Sequence, residues 1–136
     1  MGYKVELTAY QDFLRFEVSG VRSVEATEKL YRLIARESAA RHVYKILLVF
    51  HVTGRLSTFE IHDVVSKYRE CGLGDRHKIA VFDEDRDMVP DQAFAEDVAR
   101  VRGLDGAVFS TETGALAWLL GGEPGEPSND EKRDTD

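Results

Sequence analysis

ILLVF at 46–50 places five apolar residues in a row, and IAVF at 79–82 does the same with four. A strand with one wet face alternates polar and apolar residues, so unbroken runs of this kind fit strands covered on both faces. The segments between them carry helical spacing instead. Ser23 can cap a helix with Glu25 in its first turn, and Ala26, Leu30, Leu33 and Ile34 form an apolar stripe that runs to about Arg41. Ile61, Val64, Val65 and Tyr68 repeat that spacing, and Gly72 is positioned to end the helix. Phe94, Val98 and Val101 line a third helix ending at Gly103, AVF at 107–109 is a short strand, and a last helix covers Thr113 to Leu120. Ahead of all this, KVELTAY and FLRFEV alternate with period two around Gln11-Asp12, the pattern of an antiparallel hairpin. The resulting order is ββαβαβαβα. It predicts one α/β domain with a mixed, mostly parallel sheet of about five strands and four helices.

The remaining residues limit the setting. At 136 residues the chain suits a single domain with a full core. No apolar stretch approaches the ~18 residues of a membrane span, and MGYKVELTAYQD lacks the basic start and apolar centre of a signal peptide. Cys71 is the single cysteine, which rules out an internal disulfide and fits a cytoplasmic home. The net charge is −7, of which −4 falls in residues 121–136 and −3 in the rest. Neither part is basic, so nucleic acid is not an expected partner. The segment from Gly121 has two Pro, three Gly and no large apolar side chain, and is expected to be a disordered acidic tail beyond a domain of residues 1–120.

Open α/β sheets place ligands beyond the carboxyl ends of their strands. Gly20–Ser23, His51–Thr58, Asp83–Pro90 and Ser110–Thr113 should therefore meet. HVTGRLST has the Gly and hydroxyl residues of a phosphate loop, but lacks the second Gly and the Lys of GxxxxGK(S/T). Ser57 with Glu60 matches a capping box, a role compatible with phosphorylation of Ser57 or Thr58 at the helix N-terminus. Asp83, Asp85 and Asp87 match three positions of a calcium loop, yet Met88 stands where Gly is required and Phe94 where a bidentate Glu is required. No His or Cys spacing suits a metal, and no G-x-S-x-G elbow supplies a nucleophile. Neither a cofactor nor a catalytic residue is expected. Trp118 in GALAWLL reads as a helix face docked on the sheet, with an exposed contact patch as the alternative.

The element order, the KILLVF strand leading into LST, and the ending RGLDGAVFSTETGALAWLL resemble the STAS domain, and within it the SpoIIAA-like branch. The likeness spans residues 3 to 120. It implies a non-enzymatic binding or regulatory module. In antagonists of that family a Ser opening the second helix is phosphorylated to switch partners, and Ser57 holds the matching place. Leu56 and Phe59 depart from the Asp-Ser-Ser-Gly-like motif around it. The SpoIIAA-like branch further implies a small amphipathic ligand and peripheral membrane association.

Together these readings point to recognition of a protein partner or small ligand at the 51–58 end, through Thr53, Gly54, Arg55 and Phe59, with Trp118 a second candidate contact. A phosphoswitch on Ser57 is the first alternative. A small enzyme or metal-binding protein built on the acidic loop 83–91 is the second. A homodimer is also compatible with such a module.

Overall fold

The computed structural model describes residues 2–85 and 105–121. Strand β1 (Lys4–Ala9) and strand β2 (Leu14–Val21) form the expected hairpin, in register from Lys4 opposite Ser19 to Ala9 opposite Leu14. Helix α1 (Val24–Arg41) leads to β3 (Lys45–Thr53), and helix α2 (Thr58–Ser66) precedes β4 (Lys78–Asp83). Strand β5 (Asp105–Phe109) and helix α3 (Glu112–Leu120) complete the described elements. The strands lie side by side in the order β1-β2-β3-β4-β5, antiparallel at the first pair and parallel at the other three. The helix expected near 91–103, much of the 83–91 loop and the acidic tail lie outside the described residues, so three helices are described.

The lack of alternation in β3 has a direct cause. Ile46, Leu48, Phe50 and Val52 enter one buried cluster, while Leu47 and Val49 enter another on the opposite face. The first cluster joins β2 residues Leu14, Phe16 and Val18 to Leu30 and Ile34 of α1 and to Ile61, Val64 and Val65 of α2. The second joins Ala80 and Ala107 to Ala115, Trp118 and Leu119 of α3. Helices α1 and α2 thus cover one side of the sheet and α3 covers the other. Each buried side chain of Leu, Ile or Phe size contributes about 1.5–3 kcal/mol through loss of contact with water. β2 keeps its alternation because Arg15, Glu17 and Ser19 face the α3 side beyond that helix's apolar contacts.

Two boundaries differ from the sequence reading. β3 does not stop at Phe50, because the parallel ladder with β2 continues through His51–Ser19, Val52–Gly20 and Thr53–Val21. α2 ends at Ser66 rather than near Gly72, although Tyr68 is buried as its spacing implied. The chain tightens into successive turns there, with Cys71 N–H donating to the Lys67 and Tyr68 carbonyls, and Leu73 is carried into the core. Gly72 permits the close approach. Its φ is 105°, and a Cβ would sit 2.8 Å from the Ala35 Cβ on α1.

α1 begins at the Ser23 cap, whose Oγ accepts from Ala26 N–H at 3.0 Å. On the far end, His77 is buried against it. Gly74 N–H donates to His77 Nδ1 at 3.1 Å, which leaves Nε2 to carry the proton and donate to Ser38 Oγ at 2.9 Å. Burial holds this imidazole below its ordinary pKa, in keeping with a neutral ring. Among the described residues no helix is long and apolar enough to cross a membrane.

Candidate functional site

The segment from Thr53 to Phe59 leaves the sheet at its carboxyl edge, and its shape is set by Arg22. This residue follows the last position of β2 directly. Its N–H donates to the Thr53 carbonyl at 2.8 Å, and its Nε donates to the Gly54 carbonyl at 3.0 Å. Its terminal nitrogen reaches Asp83 Oδ2 at 3.0 Å, and the guanidinium lies 5.7 Å from the Phe50 ring centroid. The Arg22 and Asp83 side chains are only 7% and 4% exposed. Asp83 Oδ1 also accepts from Asp85 N–H at 2.9 Å, which turns the chain after β4. A single buried brace therefore joins the ends of β2, β3 and β4. Gly54 occupies φ 86°, a left-handed conformation that suits glycine, and Thr53 Oγ1 donates to the Gly20 carbonyl at 3.4 Å.

What this braced loop presents is mixed. Leu56 packs on the first core cluster, while Thr53, Gly54 and Arg55 are exposed. Ser57 caps α2 in a complete capping box: its Oγ accepts from Glu60 N–H at 3.1 Å, and Glu60 Oε1 accepts from Ser57 N–H at 2.8 Å. Ser57 and Thr58 are exposed. Phe59 is 80% exposed and Val21, across the loop at the end of β2, is 65% exposed. Two large apolar side chains thus face solvent beside a pinned backbone.

On the α3 side of the sheet the same edge carries a line of alternating charge. Glu112, at the start of α3, accepts from Arg15 Nε at 2.7 Å, and Arg15 donates to Glu17 at 3.0 Å. Glu17 Oε2 lies 2.7 Å from His51 Nε2, and Glu84 Oε1 lies 2.8 Å from His51 Nδ1. Burial acts to lower the His51 pKa, but the hydrogen bonds to Glu84 and Glu17 outweigh it and the net shift is upward. Glu17 is held below the ordinary carboxylate range, first by Arg15 and then by His51.

With a carboxylate on each ring nitrogen, protonation of both nitrogens is favoured, and in that form His51 has no lone pair for a general base and bridges β2, β3 and the β4 end. Such a clamp gives stability fully present below the unfolded-state pKa of about 6.5 and lost as pH rises through the elevated folded value. The expected result is a wild-type unfolding free energy that declines as pH rises from about 6.5 through the elevated folded value, and His51→Gln should flatten that decline. Urea titrations across neutral pH check it; an unchanged slope in the variant contradicts the clamp.

Three of the four segments expected to converge meet in their described parts: Gly20–Ser23, His51–Thr58 and the Asp83–Asp85 start of the acidic loop join through Arg22 and His51, while Glu112 of the fourth reaches Arg15 within β2. His51 and Glu84 lie in segments the sequence already set apart, the 51–58 end and the acidic loop 83–91, whereas Arg22 and Glu17 carry no local signal as site residues. The signal for the brace was position alone: an Arg just past one strand end and an Asp at another, in segments already expected to meet. Trp118 requires a correction as a contact residue. It is 5% exposed, its ring centroid is 5.5 Å from that of Phe109, and Lys78 Nζ lies 4.5 Å over its ring. It belongs to the core. Cys71 is buried, and burial raises its thiol pKa, the environment of an unreactive thiol. No group of three or more His, Cys, Asp or Glu among the described residues is arranged to hold a metal ion.

No protein-family model matches the chain. No curated protein matches it either. Among solved structures, it is similar to an uncharacterised DUF3478-family protein from Shewanella loihica PV-4 with a SpoIIAA-like fold. The superposition covers 87% of this chain and 94% of that one, with a TM-score of 0.52 at 17% identity. With its hairpin, parallel extension and two-sided helical cover, the chain has a SpoIIAA-like α/β fold.

Proposed function

We propose that the protein is a non-enzymatic recognition module that binds a protein partner at the edge formed by Val21 and the Thr53–Phe59 loop. The observation that carries this reading is the exposure of Phe59 and Val21 beside a backbone fixed by the buried Arg22–Asp83 pair. An apolar side chain held on a rigid support binds with less ordering cost than one on a loose loop. Aromatic and Arg side chains are frequent energetic anchors of interfaces, and Arg55 stands four residues before Phe59. The imidazole at this edge is engaged on both nitrogens by carboxylates, and among the described residues no hydroxyl or thiol shares a hydrogen bond with it, which supports recognition over catalysis.

Phe59→Ala is expected to weaken partner binding by about 2 kcal/mol, roughly thirtyfold, and Phe59→Ala with Arg55→Ala by more. Both variants should keep the wild-type circular dichroism spectrum, because neither side chain is buried in the core. Undiminished affinity in the double variant would count against this edge.

A second reading rests on Ser57, which is exposed at the N-terminus of α2. A phosphoryl group there meets the favourable end of the helix dipole but displaces the Glu60 carboxylate from Ser57 N–H. Partner binding that changes on phosphorylation of Ser57, and not of Thr58, would support a switch operating at the same edge.

A further inference from the structure

The amino-terminal end of the sheet, opposite the proposed recognition edge, holds a groove of about 500 Å³ bordered by the β1–β2 turn, the starts of β3 and β4, and the end of α3. Its charge is unlike that of the rest of this acidic protein. Lys45, Arg76, Lys78 and His42 line it, with Asp12 as the one carboxylate. Lys45 and Lys78 are direct partners in the parallel ladder, so two ammonium-bearing side chains of like charge stand side by side.

None of the three strong cations forms an ion pair with a described carboxylate, whereas Arg15, Arg22, Lys67 and Arg69 each do. Their other contacts leave donors over. Lys78 gives one N–H to the Trp118 carbonyl at 3.0 Å, which offsets the negative end of α3 and leaves two more. Arg76 gives one to Tyr44 Oη at 3.2 Å, with its guanidinium 5.0 Å from that ring's centroid, and has four remaining. Val43, Tyr44 and Leu120 supply apolar wall, and Leu120 is 42% exposed, an uncovered aliphatic side chain at the groove's rim.

We infer that this groove is a second site, and that it takes a phosphomonoester whose dianionic group sits among Lys45, Arg76 and Lys78 and whose organic body lies along Tyr44 and Leu120. Three cations face Asp12 in the lining and Asp105, the ladder partner of Lys78 on its β5 side, so the groove keeps a net positive charge that suits an anion. The guanidinium fork matches phosphoryl oxygens in pairs, and the ammonium groups add point charges from a second direction. The site is independent of the recognition edge, so each stands or falls alone.

The test uses the full chain at constant ionic strength, with phenyl phosphate, inorganic phosphate and vesicles containing phosphatidic acid as probes and chloride as the reference anion. Amide shifts of Tyr44, Lys45, Arg76 and Lys78 should saturate with phenyl phosphate at millimolar or lower concentration, more tightly than with inorganic phosphate. Lys45→Gln with Arg76→Gln should weaken this on the order of tenfold or more. Lys45→Arg should retain binding, and Phe59→Ala should leave it untouched. Vesicle binding lost in the double variant assigns the group to a lipid headgroup, and a response to soluble probes alone assigns it to a metabolite. No saturable shift with any probe, a response equalled by chloride, or binding unaffected by the double variant would overturn the inference.

Discussion

Asp83→Ala and Arg22→Ala are each expected to cost about 3–5 kcal/mol of stability, because each removes one half of a buried ion pair. The pair is 3.0 Å apart and almost fully withdrawn from water. Arg22 alone would keep only its bond to the Gly54 carbonyl and its packing on Phe50. Removing both charges together should be far milder. Arg22→Met with Asp83→Leu fills similar volume with apolar groups, and such replacements of buried pairs are often close to neutral. The double variant should therefore be more stable than either single variant, a coupling that urea denaturation can read directly. Additive losses would mean that the pair is not acting as a unit. The double variant has a second use. It keeps the fold while releasing the Gly54 carbonyl, so the Thr53–Phe59 loop should loosen and bind its partner more weakly without unfolding.

Trp118→Ala is the other large effect, at about 3–5 kcal/mol. The indole fills the space between α3 and the sheet with Leu47, Val49, Ala80 and Ala107, and several of these neighbours are too small to close the gap it would leave. The Lys78 ammonium over the ring loses its partner as well. Trp118→Phe should recover much of the loss, since it restores most of the volume. An exposed contact residue would behave differently, with Trp118→Ala nearly silent in thermal unfolding and damaging only to binding. A melting temperature unchanged in Trp118→Ala would return the indole to the surface and undo the packing described for α3.

The sequence revealed best what depends on local pattern. ILLVF and IAVF show no alternation because both faces of those strands are covered, and that condition is written in consecutive residues. Ser57 and Glu60 could be paired from a spacing of three because a capping box is made within one helical turn. The brace and the clamp were hidden for the opposite reason. Arg22 and Asp83 are 61 positions apart, and Glu17 and His51 are 34 apart. Nothing local distinguishes these side chains from the solvated charges around them until the parallel register is known. α3 posed a different difficulty. ALAWLL is apolar on every side, so periodicity could not choose which residues face the sheet. The fold buries Trp118 and Leu119 and leaves Leu120 toward the groove. The end of β3 was misjudged because His51 and Thr53 look like loop residues, yet β2 is long enough to pair with them.

The recognition edge is tested most directly by photocrosslinking from two positions of the full chain, in the extract of the cells that make it. A photoreactive phenylalanine analogue in place of Phe59 lies on the proposed contact; the same analogue in place of Leu120 is exposed at the opposite end of the sheet. The account predicts one saturable protein adduct from position 59, lost when Arg55 is changed to Glu, and no such adduct from position 120. A saturable protein adduct from position 120 with none from position 59 would contradict it.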